Sequence, residues 1–125
     1  MRRIVLGVAI LCSLLSISGT SFADDIGDVG PLAGLEVFTT SADGYLTNHG
    51  RVLVKNSLGA LDEYHWGGVS CGTRLLSEAQ VGALQAALNT KNMHLRPAYQ
   101  IGQGDARCLV GFLLVPKTQL NLVQP

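Results

Sequence analysis

The chain has 125 residues, 47% of them hydrophobic and 14% charged, with 15 glycines, which is one domain's worth of ordinary folding material. That composition excludes a disordered tail protein, a collagen-like repeat and a coiled coil. Nine Lys and Arg balance nine Asp and Glu, so the chain lacks the basic surplus with which a nucleic-acid binder neutralises phosphates.

The first segment reads as a targeting signal. Met1, Arg2 and Arg3 form a short positive n-region, followed by an apolar stretch over residues 4–19 that is short of the roughly 20 residues a bilayer span takes. Ser21 and Ala23 are small residues ahead of Asp24 and Asp25, the pattern of a bacterial-type signal peptide over residues 1–23 cleaved after Ala23. Leu11 precedes Cys12 where lipid attachment requires a small residue, so a lipoprotein is not expected. No membrane span would remain after cleavage, and seven basic against nine acidic residues would leave a charge of −2. The compartment implied is secreted or periplasmic and oxidising. Cys71 and Cys108, the pair left after Cys12, are therefore expected to form a disulfide, with two buried thiols as the alternative. The bridge would close a loop of about 38 residues, worth about 3–4 kcal/mol of loop-closure entropy.

Residues 24–33 hold Gly27, Gly30 and Pro31 without periodicity and read as an N-terminal arm. From Leu35 apolar and polar residues alternate, which predicts one long first strand through Thr47, bent at residues 42–44. A separate hairpin there is the alternative, because Asp43-Gly44 is also a turn signal. Asn48, His49 and Gly50 suit a tight hairpin loop with His49 in solvent. Residues 51–55 form the second strand with Val52 and Val54 inward. A third strand runs from Glu63 to near Cys71, with a bulge at Gly67 and Gly68. Tyr64 and Trp66 share a face of it. They are either a core aromatic pair or, with the neighbouring His65, a sugar-stacking platform.

A helix follows. Ser77 caps it, Gln80 completes a capping box, and Leu76 with Val81 can form a hydrophobic staple. Val81, Leu84 and Leu88 make its apolar stripe, and Gly82 among Ala79, Ala83 and Ala86 offers close packing against a sheet or a neighbouring subunit. The fourth strand carries Met93, Leu95 and Tyr99 on one face and His94 and Arg96 on the other. Pro97 confines it to a sheet edge or a break in pairing. Residues 108–115 form a fifth strand, apolar on both faces and so needing cover on both sides. Residues 117–125 are a polar tail with scattered apolar residues, expected to pack loosely or fray.

The order β-β-β-α-β-β is that of the OB-fold, a five-stranded, partly open Greek-key barrel that binds oligosaccharides or oligonucleotides through its loops and one face. Residues 34–116 are therefore read as a mainly β, OB-fold-like barrel with one disulfide. Such a secreted chain resembles the B subunits of cholera-, pertussis- and subtilase-type bacterial toxins. The similarity is carried by Ala83-Leu84-Gln85-Ala86-Ala87 in the helix, by His94-Leu95-Arg96, by Leu109-Val110-Gly111-Phe112 and by Gly44. The resemblance implies a ring-forming binder of glycans or a cell-surface receptor. Ala33, before Gly34, stands where those subunits have a sugar-contacting serine, and Tyr99 lies nearest to a glycan-contacting tyrosine.

The function expected is a secreted or periplasmic, non-enzymatic binding module with Tyr64, His65, Trp66 and Tyr99 as ligand contacts. The alternative is a small periplasmic structural or inhibitor-like protein without a sugar site. The acids, serines and histidines fall in no order suited to acid–base or nucleophilic catalysis. His49, His65 and His94 lack metal-site spacing, and both cysteines sit in apolar runs rather than beside activating cations. Gly102-Gln103-Gly104 lacks the third glycine of a dinucleotide fingerprint and precedes a strand, so no cofactor is expected. The apolar faces of the fifth strand and the small residues of the helix predict a homo-oligomer, with a closed ring as its symmetry. Cover of the same surface by the arm and the tail is the alternative.

Overall fold

The computed structural model describes residues 24–123; the predicted signal peptide and the last two residues of the tail lie outside the described residues. The elements are β1 (Asp25–Ile26), β2 (Gly30–Val37), β3 (Gly50–Lys55), β4 (Leu61–Trp66), α1 (Gly68–Cys71), α2 (Glu78–Leu88), β5 (Met93–Ile101) and β6 (Arg107–Pro116). Tight 3₁₀ turns occupy Asp43–Leu46, Gln103–Asp105 and Lys117–Leu122.

Strands β2, β3 and β4 form an antiparallel meander, β6 runs antiparallel along β5, and β5 returns to β2 at the Gly30–Leu95 pair. A parallel contact from β4 to β6 completes the circuit β5-β2-β3-β4-β6-β5, a closed five-stranded barrel. With α2 between the third and fourth barrel strands, this is the OB-fold-like order read from the sequence. Closure leaves few unpaired edges, which is what a small sheet of this kind needs.

Strand alternation fills the interior. Val52, Val54, Tyr64, Leu95 and Leu109 point inward and meet Leu84 of α2, all of them no more than 1% exposed. The helix starts where predicted. The Ser77 hydroxyl accepts from the Gln80 N–H at 3.1 Å, and the Gln80 side chain accepts from the Ser77 N–H at 2.8 Å. Its buried residues are Leu84 and Ala87, whereas Leu88 is 37% exposed. The inward stripe is therefore turned toward the small Ala87 and away from Leu88. Gly82 looks onto open space, so within this chain it packs against no strand of the sheet.

Three further expectations are corrected. The first strand ends at Val37 rather than Thr47; Asp43–Leu46 coils into a 3₁₀ turn whose Gly44 carbonyl accepts from the Thr47 and Asn48 N–H groups. The third strand ends at Trp66, and Gly67 and Gly68 are not a bulge within it. Both have positive φ, +69° and +70°, a conformation that leaves the strand, and the chain turns there into α1. The arm ends earlier than residue 33, because Gly30 already belongs to β2, and its β1 pairs with β5 through Asp25–Tyr99 and Ile26–Ala98.

The arm also explains Pro97. The Gly27 N–H donates to the Pro97 carbonyl at 3.0 Å, and Pro97 lies between the stretch of β5 paired to β2 and the stretch paired to β1. The missing proline N–H falls in that interval, so β5 is an interior strand with a local break in pairing.

Cys71, at the end of α1, is bonded to Cys108, at the start of β6, with their Cα atoms 5.5 Å apart. β4 and β6 share a single register pair, His65–Cys108. The disulfide therefore staples the barrel where its hydrogen-bonded closure is thinnest. On β6, Cys108, Leu109 and Val115 are buried while Leu113 is 37% exposed, so cover on the outer face is partial. The described tail is a 3₁₀ turn tied back by the Lys117 N–H to the Asn92 carbonyl at 2.7 Å.

Candidate functional site

The four residues singled out as ligand contacts do not converge on a surface. Tyr64 and Trp66 are 1% and 3% exposed. They form the core aromatic pair, because the face they share is the one that barrel closure turns inward. Tyr99 packs on Tyr64 with ring centroids 5.5 Å apart and planes tilted by 54°. The Arg107 guanidinium lies over both rings, at 5.7 and 5.8 Å from their centroids, and pairs with Asp62 at 3.3 Å. Burial, then the Asp62 charge, pushes the Tyr64 hydroxyl above its ordinary pKa, so it stays protonated at neutral pH. Tyr64 and Tyr99 are thus engaged with one another and with Arg107 rather than set out as a platform.

His65 points the other way, out of the barrel. Its Nε2 is 3.6 Å from Glu63, while Arg51 bridges Glu63 and Glu36 along the same outer face. Burial, the largest influence, lowers the His65 pKa and keeps the imidazole neutral. The Nδ1 atom is buried without a hydrogen-bond partner.

A cleft of about 440 Å³ opens instead between the segment that follows β2 and one face of α2. The Phe38 N–H donates to the His49 carbonyl at 2.9 Å, which closes the connection into a compact flap. Within it Tyr45 and His49 stack face to face, centroids 4.0 Å apart and planes 7° apart. His49 is thus a half-buried stacking partner rather than the solvated loop residue expected. Gly50 leaves room for the Trp66 ring, and a side chain at that position would collide with it. An edge of Trp66 therefore reaches the cleft even though the residue is core.

Across the opening, α2 presents Glu78, Val81, Gly82 and Gln85. Their spacing puts them on one helix face. Aromatic rings on one wall with a carboxylate and an amide on the other suit a ligand that is apolar on one side and hydroxylated on the other. Phe38, Tyr45, Glu78 and Gln85 were not among the residues the sequence singled out. The usable signal was the Asp43-Gly44 turn dipeptide, with Tyr45 and His49 four apart just after it.

Among the described residues no group of His, Cys, Asp and Glu could hold a metal ion, and no helix is long and apolar enough to cross a membrane. Comparison of the chain with protein-family models, with curated proteins and with solved structures gives no match.

Proposed function

We propose that this chain is an exported, non-enzymatic binding module that takes a carbohydrate in the cleft between residues 38–49 and α2. One observation carries the reading: the Tyr45–His49 stack and Phe38 line a cleft whose opposite wall holds Glu78 and Gln85. Sugar C–H faces pack on aromatic rings, while carboxylate and amide groups take the hydroxyls. Export is supported by the n-region, apolar stretch and small residues before Asp24, together with a disulfide of the kind that persists in oxidising compartments. The resemblance to toxin B subunits supports a glycan or receptor as the ligand. The apolar outer face of β6, where Leu113 is exposed, supports assembly into a homo-oligomer, for which a closed ring is the natural symmetry.

The experiment is a glycan array read with the wild-type protein and with Tyr45→Ala. Wild type retains a subset of oligosaccharides, and the emission of Trp66, the chain's one tryptophan, shifts when those sugars are added in solution. Tyr45→Ala loses both signals while its far-UV spectrum is unchanged. Failure of wild type to retain any glycan leaves the alternative, a small periplasmic structural or inhibitor-like protein. Sedimentation as a monomer at micromolar concentration removes the ring.

A further inference from the structure

We infer that Glu78 makes this cleft selective for uncharged sugars and makes it reject acidic ones; the inference rests on the carbohydrate reading above. Among the described residues lining the cleft there is no lysine or arginine, and Glu78 is the one acidic side chain. The arginines of neighbouring strands and loops are engaged elsewhere. Arg51 holds Glu36 and Glu63, Arg107 holds Asp62, and Arg74 donates to the Gln100 side chain at 2.8 Å. A carboxylated or sulfated sugar would bring its charge against Glu78 with no cation to compensate either.

An uncharged hexose meets the opposite situation. The Glu78 carboxylate accepts hydrogen bonds only, and a pair of adjacent sugar hydroxyls supplies two donors in matching geometry. Gln85, two helical turns along the same face, can both donate and accept. Val81 and the bare Gly82 between them leave the floor of that wall apolar and open. Glu78 thus acts as a specificity-determining residue by attraction toward hydroxyls and repulsion of anions.

The test uses matched glycan pairs on one array, each neutral oligosaccharide beside the same chain carrying a carboxylated or sulfated sugar. It is read at about pH 8, above the usual histidine range, with wild type, Glu78→Gln and Glu78→Lys. Wild type is expected to bind the neutral members at least about tenfold better, a difference that shrinks in about 1 M salt because the repulsion is screened. Glu78→Gln narrows the gap and Glu78→Lys reverses it. Both variants keep the Ser77–Gln80 capping box, and circular dichroism checks that they fold. Equal or better retention of acidic members by wild type overturns the selectivity while the binding site stands. An unchanged preference in Glu78→Lys assigns the selectivity to another residue and overturns the role of Glu78. Retention of no glycan at all overturns the site and this inference together.

Discussion

Trp66 and Tyr45 border the same cleft from opposite circumstances. Trp66 sits on β4 with its ring folded over Gly50 and is 3% exposed; Tyr45 sits on a 3₁₀ turn, half-buried, held by a stack on His49. A strand residue is committed to one face by the two-residue period, and closing the sheet decides whether that face is dry. A turn residue has no such commitment. It stays near the surface, where a ligand can reach its ring, and contributes less to the fold. The division between a structural aromatic and a ligand-facing one therefore follows from the element that carries each ring.

The largest effect expected from breaking this contrast is at Trp66. Trp66→Ala removes a core ring and should cost about 3–5 kcal/mol, measured as a fall in the urea midpoint. Tyr45→Ala should cost about 1 kcal/mol or less on the same scale, as befits a residue outside the core. Equal destabilisation by the two would erase the distinction between wall and cleft. Next comes the disulfide. Cys71→Ser should lower stability by about 2–5 kcal/mol. Because β4 and β6 share one register pair beside it, hydrogen exchange should rise first in β4 and the start of β6. Uniform loss of protection, or free thiols at both positions in non-reducing peptide maps of the wild type, would count against the stapled seam.

Smaller is the cap. Ser77→Ala should cost about 1 kcal/mol, the usual worth of an N-cap hydroxyl, and should weaken glycan retention by loosening the turn that carries Glu78. The smallest effect concerns pH. Burial, opposed by Glu63 and Glu36 and aided by Arg51, lowers the His65 pKa in the folded state below its unfolded value near 6.5. The unfolded chain then binds the proton more readily, so the His65 contribution is present above about pH 6.5 and is lost as pH falls toward the folded pKa. His65→Gln should flatten that part of the acid limb in a series of urea titrations. An unchanged limb would assign the acid sensitivity to other groups.

Much of the framework was readable because it depends on short-range rules. The capping box at Ser77 and Gln80 and the inward Val52 and Val54 appear where spacing puts them, and Cys71 is bonded to Cys108 as expected. The candidate site was not readable in the same way. Alternation placed Tyr64 and Trp66 together but left both a core pair and an exposed platform open. The run from Leu35 to Thr47 looked like a strand because its residues alternate, although Gly44 and Asp43 carry the turn.

By itself, then, the sequence determined the run of five barrel strands around one capped helix, the helix start and which strand residues share a face, since each follows from the local period or a cap. It left Cys71 and Cys108 as either a bridge or two buried thiols. Only the tertiary structure decided which faces are dry, where the arm docks along β5, and that Phe38, Tyr45 and His49 meet Glu78 and Gln85 across a cleft. These depend on contacts between residues dozens of positions apart, brought together by closure of the barrel, and no local pattern encodes which partner each surface will find.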